Sequence, residues 1–285
     1  MGYAHIDNLY RNREILMFRK CFALEKVHGT SAHIKCKDGQ ISFFAGGANR
    51  EQFVALFNHA ALLEAFTRQG FQEITIYGEA YGGKMGMSAT YGPKLKFVAF
   101  DVNITDRWIG VQYAAELVEG LGLEFVPYTL ISTDVETIDA ERDRPSVQAE
   151  RNGMGSDKMR EGVVLRPPIE VTKNNGGRIV AKHKRDEFKE TKTPRPLDAE
   201  TLAVLDAVEA IVDEWVTHQR LMHVLDKIPN ANIEQMPLIL AAMVEDVYRE
   251  AAGEIVESRD ASKAISRKTA LMFKTYLKAT LQATP

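Results

Sequence analysis

The residues of this chain best suited to covalent chemistry are Lys26, His28, Glu79, Glu161, Lys182 and Lys184. Lys26 ends an apolar run from Cys21 to Leu24 and is followed by Val27-His28-Gly29-Thr30-Ser31. A lysine amine attacks a phosphorus atom only after losing its proton, and its reference pKa is about 10.4. Neighbouring positive charge disfavours the ammonium form. Lys182 and Lys184 would supply that charge, because residues two apart on a strand project from one face toward one site. The same cations would neutralise phosphate oxygens as charge shifts in a transition state. Each feature also has a plain structural reading. Lys26 would be a surface lysine before a turn, His28 a hydrogen-bonded structural histidine, and Glu161 the salt-bridge partner of a lysine. Lys182 and Lys184 would be a solvated strand face.

These side chains need strands and turns to hold them. Ile34 and Cys36 alternate with His33, Lys35 and Lys37, the period of a half-buried strand. Asp38-Gly39 is a hairpin turn, and Ile41–Ala45 is the return strand, ending in Gly46-Gly47. Further strands are expected at 73–79, closing on Gly78-Glu79, at 95–102, and in a hairpin over 161–184 whose turn is 174–177. Arg11 to Lys20 is expected to be helical. Phe53, Leu56, Phe57, Ala60, Leu63 and Phe66 predict one amphipathic helix over 50–69, and another covers 111–120. Ser132-Thr133-Asp134 is a helix cap. The loop from Ala80 to Lys94, with four glycines, is long for a plain connection.

At 285 residues and 45% hydrophobic, the chain can bury a sizeable core. Strand signals stop at the charged, proline-bearing stretch 189–197. Beyond it Leu202, Leu205, Val208, Ile211, Val212 and Trp215 keep a helical period, as do Ile239, Met243, Val247, Ile265, Met272 and Tyr276. The expectation is an α+β domain over 1–190, a linker at 191–198 and a small all-helical domain over 199–285. A net charge of -3 excludes a global field for nucleic acid, so any such surface is a local patch. Two cysteines, Cys21 and Cys36, make neither a disulfide framework nor a zinc cluster and suit a cytoplasmic setting. The first fourteen residues have no apolar signal core, and no run reaches the roughly 18 residues of a membrane span.

The order of the motifs is more specific than any one of them. Lys26-Val27-His28-Gly29, Tyr77-Gly78-Glu79, Phe97-Val98-Ala99-Phe100-Asp101, Glu161-Gly162-Val163-Val164 and Lys182-His183-Lys184 form a five-part series. The series resembles the covalent nucleotidyltransferases, which are ATP-dependent ligases and mRNA capping enzymes. His28, where DNA ligases and capping enzymes usually carry Asp, is similar to the RNA ligase 2 family. The resemblance extends through Phe188, Glu190 and the segment 216–228.

It implies an antiparallel-sheet nucleotidyltransferase domain, ATP-grasp-like, and an ATP-dependent RNA ligase working with Mg²⁺ or Mn²⁺. Lys26 would become joined to AMP. Glu25, His28 and Gly29 would lie at the nucleotide, Glu79 on its ribose hydroxyls and Phe100 on its adenine, with core packing the other reading of Phe100. Glu161, Lys182 and Lys184 would complete the catalytic set, with Glu161 a candidate magnesium ligand. Arg166 would bind phosphate. Phe97 is read as core, and Asp101 as structural, pointing to the opposite strand face from Phe100.

The resemblance also implies RNA with 5′-phosphate and 3′-hydroxyl ends as partner, at nicks in duplex or structured RNA, and a monomer. The competing readings are a DNA ligase or capping guanylyltransferase, and a catalytically silent RNA-binding module. Two positions depart from the family pattern. Ser31 stands where the family of T-even phage type has Asn, and Gly46-Gly47 stands where it has an arginine, the nearest being Arg50.

Lys263, Arg267, Lys274 and Lys278 fall at intervals of four, seven and four, which stacks them on one helical face, with Arg259 extending the row. This stripe suits the phosphate backbone of an RNA duplex as well as a solvated helix face. Charge reversal at Lys274 and Lys278 is expected to weaken RNA binding at low salt while leaving attachment of AMP to the protein intact. Unchanged affinity in a filter-binding titration would assign the stripe to the solvated face.

Overall fold

The computed structural model describes residues 2–173, 176–188, 212, 214–228, 231–251 and 259–282. The chain divides into two compact units, Met1–Arg185 and Asp186–Pro285. The first is built on two antiparallel sheets. One contains β1 (Lys20–Lys26), β7 (Tyr128–Ser132), β8 (Gly162–Arg166) and β9 (Ala181–Lys184) in the order β7-β1-β8-β9. The other contains β2 (Gly29–Lys37), β3 (Gln40–Phe44), β4 (Glu73–Tyr81), β5 (Lys96–Ile104) and β6 (Arg107–Trp108) in the order β3-β2-β4-β5-β6.

Local sequence explains the strands that carry the site. In β2, Ala32, Ile34 and Cys36 are buried while Ser31, His33 and Lys35 face outward in part. Lys37 pairs with Gln40, so Asp38 and Gly39 form the two-residue loop, both at positive φ. β1 is buried without interruption from Cys21 to Glu25, as befits a strand covered on both faces. Cys21 and Cys36 are free and buried. The core packs Phe53, Phe97, Ile34, Ile76 and Val102 with the helices α2 (His59–Gln69) and α4 (Val111–Gly120). Phe97 is thus a core residue, edge to face with Phe53 at 5.6 Å.

The structure corrects two helix expectations. Residues 50–69 make two helices, α1 (Arg50–Val54) and α2. Asn58 interrupts them by accepting a hydrogen bond from the Ala61 N–H, and Asn49 caps α1 in the same way. Leu56 and Ala60 are therefore exposed, and α2 buries Leu62, Ala65 and Phe66. Between Arg11 and Lys20 there is only a 3₁₀ turn, Glu14–Met17.

Asp134 caps α5 (Val135–Arg142) and Ser146 caps α6 (Val147–Arg151). The loop after β4 carries a one-turn helix, α3 (Ser88–Tyr91). β8 and β9 pair antiparallel as the 161–184 hairpin requires, and Asn174 and Asn175 of its turn lie outside the described residues.

The second unit contains α7 (His218–Leu225), α8 (Met236–Glu250) and α9 (Arg259–Gln282). Trp215, Leu221, Ile239, Met243, Val247, Ile265 and Phe273 form its core. The buried Arg220 holds Asp246 at 2.6 Å and donates to the Trp215 carbonyl at 2.9 Å. The stretch 189–198, and Leu202, Leu205, Val208 and Ile211, lie outside the described residues. Among the described residues, no helix is long and apolar enough to cross a membrane.

Gly29 opens β2 opposite Tyr81. A Cβ there would lie 2.3 Å from the Ala80 carbonyl oxygen and 2.9 Å from the Tyr81 Cβ, both held by the sheet. Gly29→Ala should therefore destabilise the protein by about 1–3 kcal/mol through overpacking. Urea denaturation would show this as a lower midpoint at unchanged slope. An unchanged midpoint would mean that the strands separate here without cost.

Candidate active site

The ends of β1, β2, β4, β5, β8 and β9 meet around a cavity of about 210 Å³. Lys26 is the last residue of β1 and pairs with Gly162, which pairs in turn with Lys184. Gly162 has no room for a side chain, since a Cβ would lie 2.2 Å from the His183 carbonyl oxygen. That close approach puts Glu161 among cations. Its Oε2 lies 3.1 Å from Lys26 Nζ and 3.4 Å from His28 Nδ1, and its Oε1 lies 3.1 Å from Lys184 Nζ.

The Glu161 carboxylate is 1% exposed. Burial opposes its charge, but Lys26, Lys184 and His28 outweigh burial and hold the carboxyl well below the usual carboxylate range. Burial likewise pushes the His28 imidazole down, and the hydrogen bond and charge of Glu161 outweigh it, leaving His28 above its ordinary value.

Lys182 and Lys184 are buried, which excludes the solvated-face reading. Lys182 lines the cavity and Lys184 binds Glu161, while His183 turns to Asp139 at 2.6 Å and Arg142 at 2.9 Å. Lys182 is fixed through its backbone: its N–H donates to the Asp7 carbonyl at 2.9 Å, and its carbonyl accepts from the Leu9 N–H at 2.8 Å. Glu79 lines the cavity opposite Ser31. Burial pushes its carboxyl up to about 7, with Lys26 and His28 opposing and Glu161 adding to the rise. The Ser31 hydroxyl is buried at the cavity with no hydrogen-bond partner among the described residues.

Phe100 lines the cavity, half-buried, with Tyr3 edge to face at 4.9 Å. The pairing of β4 with β5 shifts register here, so Tyr77 faces Asp101 and Gly78 faces Ala99. This bulge breaks the strand alternation. The expectation that Asp101 lies on the opposite face from Phe100 therefore fails, because both line the same cavity. Asp101 is nonetheless a structural hub. It holds Arg166 at 2.9 Å and Arg178 at 2.6 Å, and accepts from the Tyr3 hydroxyl at 2.5 Å.

Arg166 and Glu25 both line the cavity with their charged groups engaged by the protein, and Arg50 lies away from it. The Arg166 guanidinium is buried against Asp101, Glu170 and the Ile109 carbonyl, which occupy it in place of a phosphate. The Glu25 carboxylate turns to the start of α6, accepting from Ser146 Oγ at 2.5 Å and the N–H groups of Val147 and Gln148 at 2.9 and 3.2 Å. It thereby fixes the end of β1, where Glu25 lines the cavity. Arg50 is exposed at the start of α1 and does not line the cavity. Lys263, Arg267, Lys274 and Lys278 are all exposed on α9 of the second unit.

Sequence reading missed Tyr3 and Arg178. Tyr3, with Ala4 and Ile6, walls the cavity, and Arg178 lies 4.1 Å over the Trp108 ring while bonding Asp101 and the Tyr3 hydroxyl. A lone tyrosine near the N-terminus carries no spacing signal. Arg178 fell within the expected hairpin over 161–184 with nothing to name its partner, and it lies ahead of β9 rather than on it.

Residues 19–184 match the family model described as RNA ligase. No curated protein matches the sequence. Among solved structures, the chain is similar to an RNA ligase of Naegleria gruberi with pyrophosphate, at 16% identity and a TM-score of 0.52, covering 66% of this chain and 57% of that one. A lysine-to-alanine variant of that ligase with ATP and manganese gives the same figures. A lysine-to-methionine variant with AMP and manganese matches at 15% identity and a TM-score of 0.52, with the same coverage. The chain thus spans little more than half the length of these ligases, and at this identity the likeness is one of fold.

Glu79 gives the site a pH signature. Its carboxyl titrates at about 7 in the folded state against an ordinary value of 4.5. Across that window the folded state binds more protons than the unfolded one, so the Glu79 contribution to stability is lost as pH rises through it. Glu79→Gln should lose less stability than the wild type between pH 4.5 and about 7 in urea titrations. Equal losses would show that Glu79 keeps an ordinary carboxyl.

Proposed function

We infer the activity of this chain from one premise, that it belongs to the RNA ligase family, and from the chemistry of its cavity. The function supported best is ATP-dependent sealing of RNA through a lysyl-AMP intermediate. The observation that carries this reading is Lys26, 20% exposed at the cavity, beside a buried Glu161 that also binds Lys184 and His28.

In the first step Lys26 Nζ, deprotonated, attacks the α-phosphorus of ATP. A phosphorus–nitrogen bond forms and the bond to the leaving pyrophosphate breaks. Lys182 and Lys184 neutralise the phosphate oxygens as charge moves to the leaving group. His28 sits toward the pyrophosphate. Phe100 and the Tyr3 wall take the adenine, and Glu79 takes the ribose hydroxyls, able to donate as well as accept a hydrogen bond near neutral pH.

In the second step an oxygen of the RNA 5′-phosphate displaces Lys26 from the AMP phosphorus. In the third, an RNA 3′-hydroxyl attacks the activated 5′-phosphorus, releases AMP and forms the phosphodiester. Nicks or breaks in duplex or structured RNA, including breaks whose end base is unpaired, are the substrate class proposed.

The donor set suits a hydrated divalent cation, because Glu161 adds carboxylate oxygens to those of the substrate phosphates. Bound there, Mg²⁺ or Mn²⁺ would supply charge neutralisation at the phosphates. Glu161 would have to share its oxygens between that ion and the lysines, which already occupy both. The exposed stripe on α9, where Lys263, Arg267, Lys274 and Lys278 occur with no acidic residue over 261–282, is the proposed contact to the RNA backbone.

Incubation with Mg²⁺ and α-labelled ATP should leave label on the denatured wild-type protein and none on Lys26→Ala. Chelation of the metal should reduce labelling to background. Absence of label on the wild type, or label retained by Lys26→Ala, would contradict the assignment, and label from GTP would favour capping chemistry.

A further inference from the structure

The open face of the five-stranded sheet carries an aromatic surface that the steps above do not use. His33 lies two residues beyond Ser31 on the same face of β2, about 7 Å from it along the strand. It pairs with Phe44 on β3 and with Tyr77 on β4. The His33 and Phe44 rings are stacked, centroids 5.0 Å apart and planes 18° apart, and Tyr77 abuts His33 at 5.3 Å. Tyr77 continues to Trp108 at 5.4 Å and to Tyr3 at 5.3 Å, so the surface runs without a break into the cavity wall. At its outer end Phe44 is 37% exposed, with its neighbours Gln40 and Ser42 also exposed on β3.

Packing alone accounts poorly for this arrangement. His33 Nδ1 is buried with no hydrogen-bond partner among the described residues, a cost that a phenylalanine would avoid. Burial also holds the imidazole down at about 4, so the ring is neutral at physiological pH. A neutral ring stacked beneath an exposed phenyl offers a flat, uncharged π-surface to the next flat ring. Nucleobases stack on such surfaces whatever their sequence, and only when they are unpaired.

We propose that Phe44, backed by His33, is a stacking site for one unpaired nucleobase at the end of the RNA strand engaged in the cavity. The proposal rests on the RNA ligase reading and adds to it a preference for ends whose terminal base is free of its complement. The platform lies on the strand leading away from Ser31, in the neighbourhood of Gly46-Gly47. Stacking there would supply RNA contact on a surface that carries no arginine between Lys37 and Arg50.

The test uses the full chain and two 5′-phosphorylated single-stranded RNAs that differ only in having a base or an abasic residue at the first nucleotide. Stacking on one aromatic ring contributes about 1–3 kcal/mol by alanine substitution. The wild type should therefore bind the intact RNA roughly fivefold to a hundredfold more tightly than the abasic one in fluorescence anisotropy. Phe44→Ala should bind both at the abasic level, and Phe44→Trp should keep the preference. The denaturation midpoints of both variants check that they are folded. A base preference undiminished in Phe44→Ala, or absent in the wild type, overturns the platform. Failure of the wild type to form lysyl-AMP overturns the ligase reading instead, and the base-against-abasic comparison still decides the stacking site.

Discussion

One buried carboxylate, Glu161, organises the candidate site. Its charge would be prohibitive at 1% exposure without partners, and two lysines and a histidine provide them. They come from different places in the chain: Lys26 at the end of β1, His28 in the turn that follows, and Lys184 on β9. Because β8 lies between β1 and β9, the residue just before β8 is the natural meeting point. Gly162 makes the meeting possible by letting β8 press against the His183 carbonyl. Lys26, the proposed nucleophile, and Lys184, proposed to activate it, thus meet at one carboxylate. The strand pairing around Gly162 keeps that contact in register.

A second carboxylate does the same for the opposite part of the cavity. Asp101, fully buried, draws Arg166 from β8, Arg178 from the stretch before β9 and the hydroxyl of Tyr3 to one point. This fixes the wall on which Phe100 and Tyr3 present their rings. The consequence is a division of labour among the basic residues. Arg166 and Arg178 are spent on structure, since a guanidinium stays charged and bridges several acceptors at once. The lysines, single flexible points of charge, stay at the cavity or at the carboxylate beside it.

The parts of this arrangement written in local sequence were readable in advance. The alternation of β2, the Asp38-Gly39 turn, the core position of Phe97 and the hairpin that pairs Gly162 with Lys184 each follow from patterns within a few residues. The motif series brought Lys26, His28, Glu161 and Lys184 together, because their order reflects strands that neighbour one another. What could not be read depends on tertiary competition. Asn58 satisfies the Ala61 N–H and splits a helix whose apolar spacing alone looks continuous. A one-residue bulge beside Gly78 swings Asp101 into the cavity, and nothing in Phe97–Asp101 announces it. Glu25 and Arg166 line the cavity beside their motifs, but nothing local announces that partners from α6 and from Asp101 engage their charged groups.

The claim on which the account stands is that Glu161 is ionised by the cations gathered around it. Carbon-13 NMR titration of the Glu161 side-chain carboxyl, in the wild type and in Lys184→Ala, measures this directly. A midpoint well below the usual carboxylate range, rising when Lys184 is removed, is the predicted result. An ordinary midpoint, or one indifferent to Lys184, would contradict it.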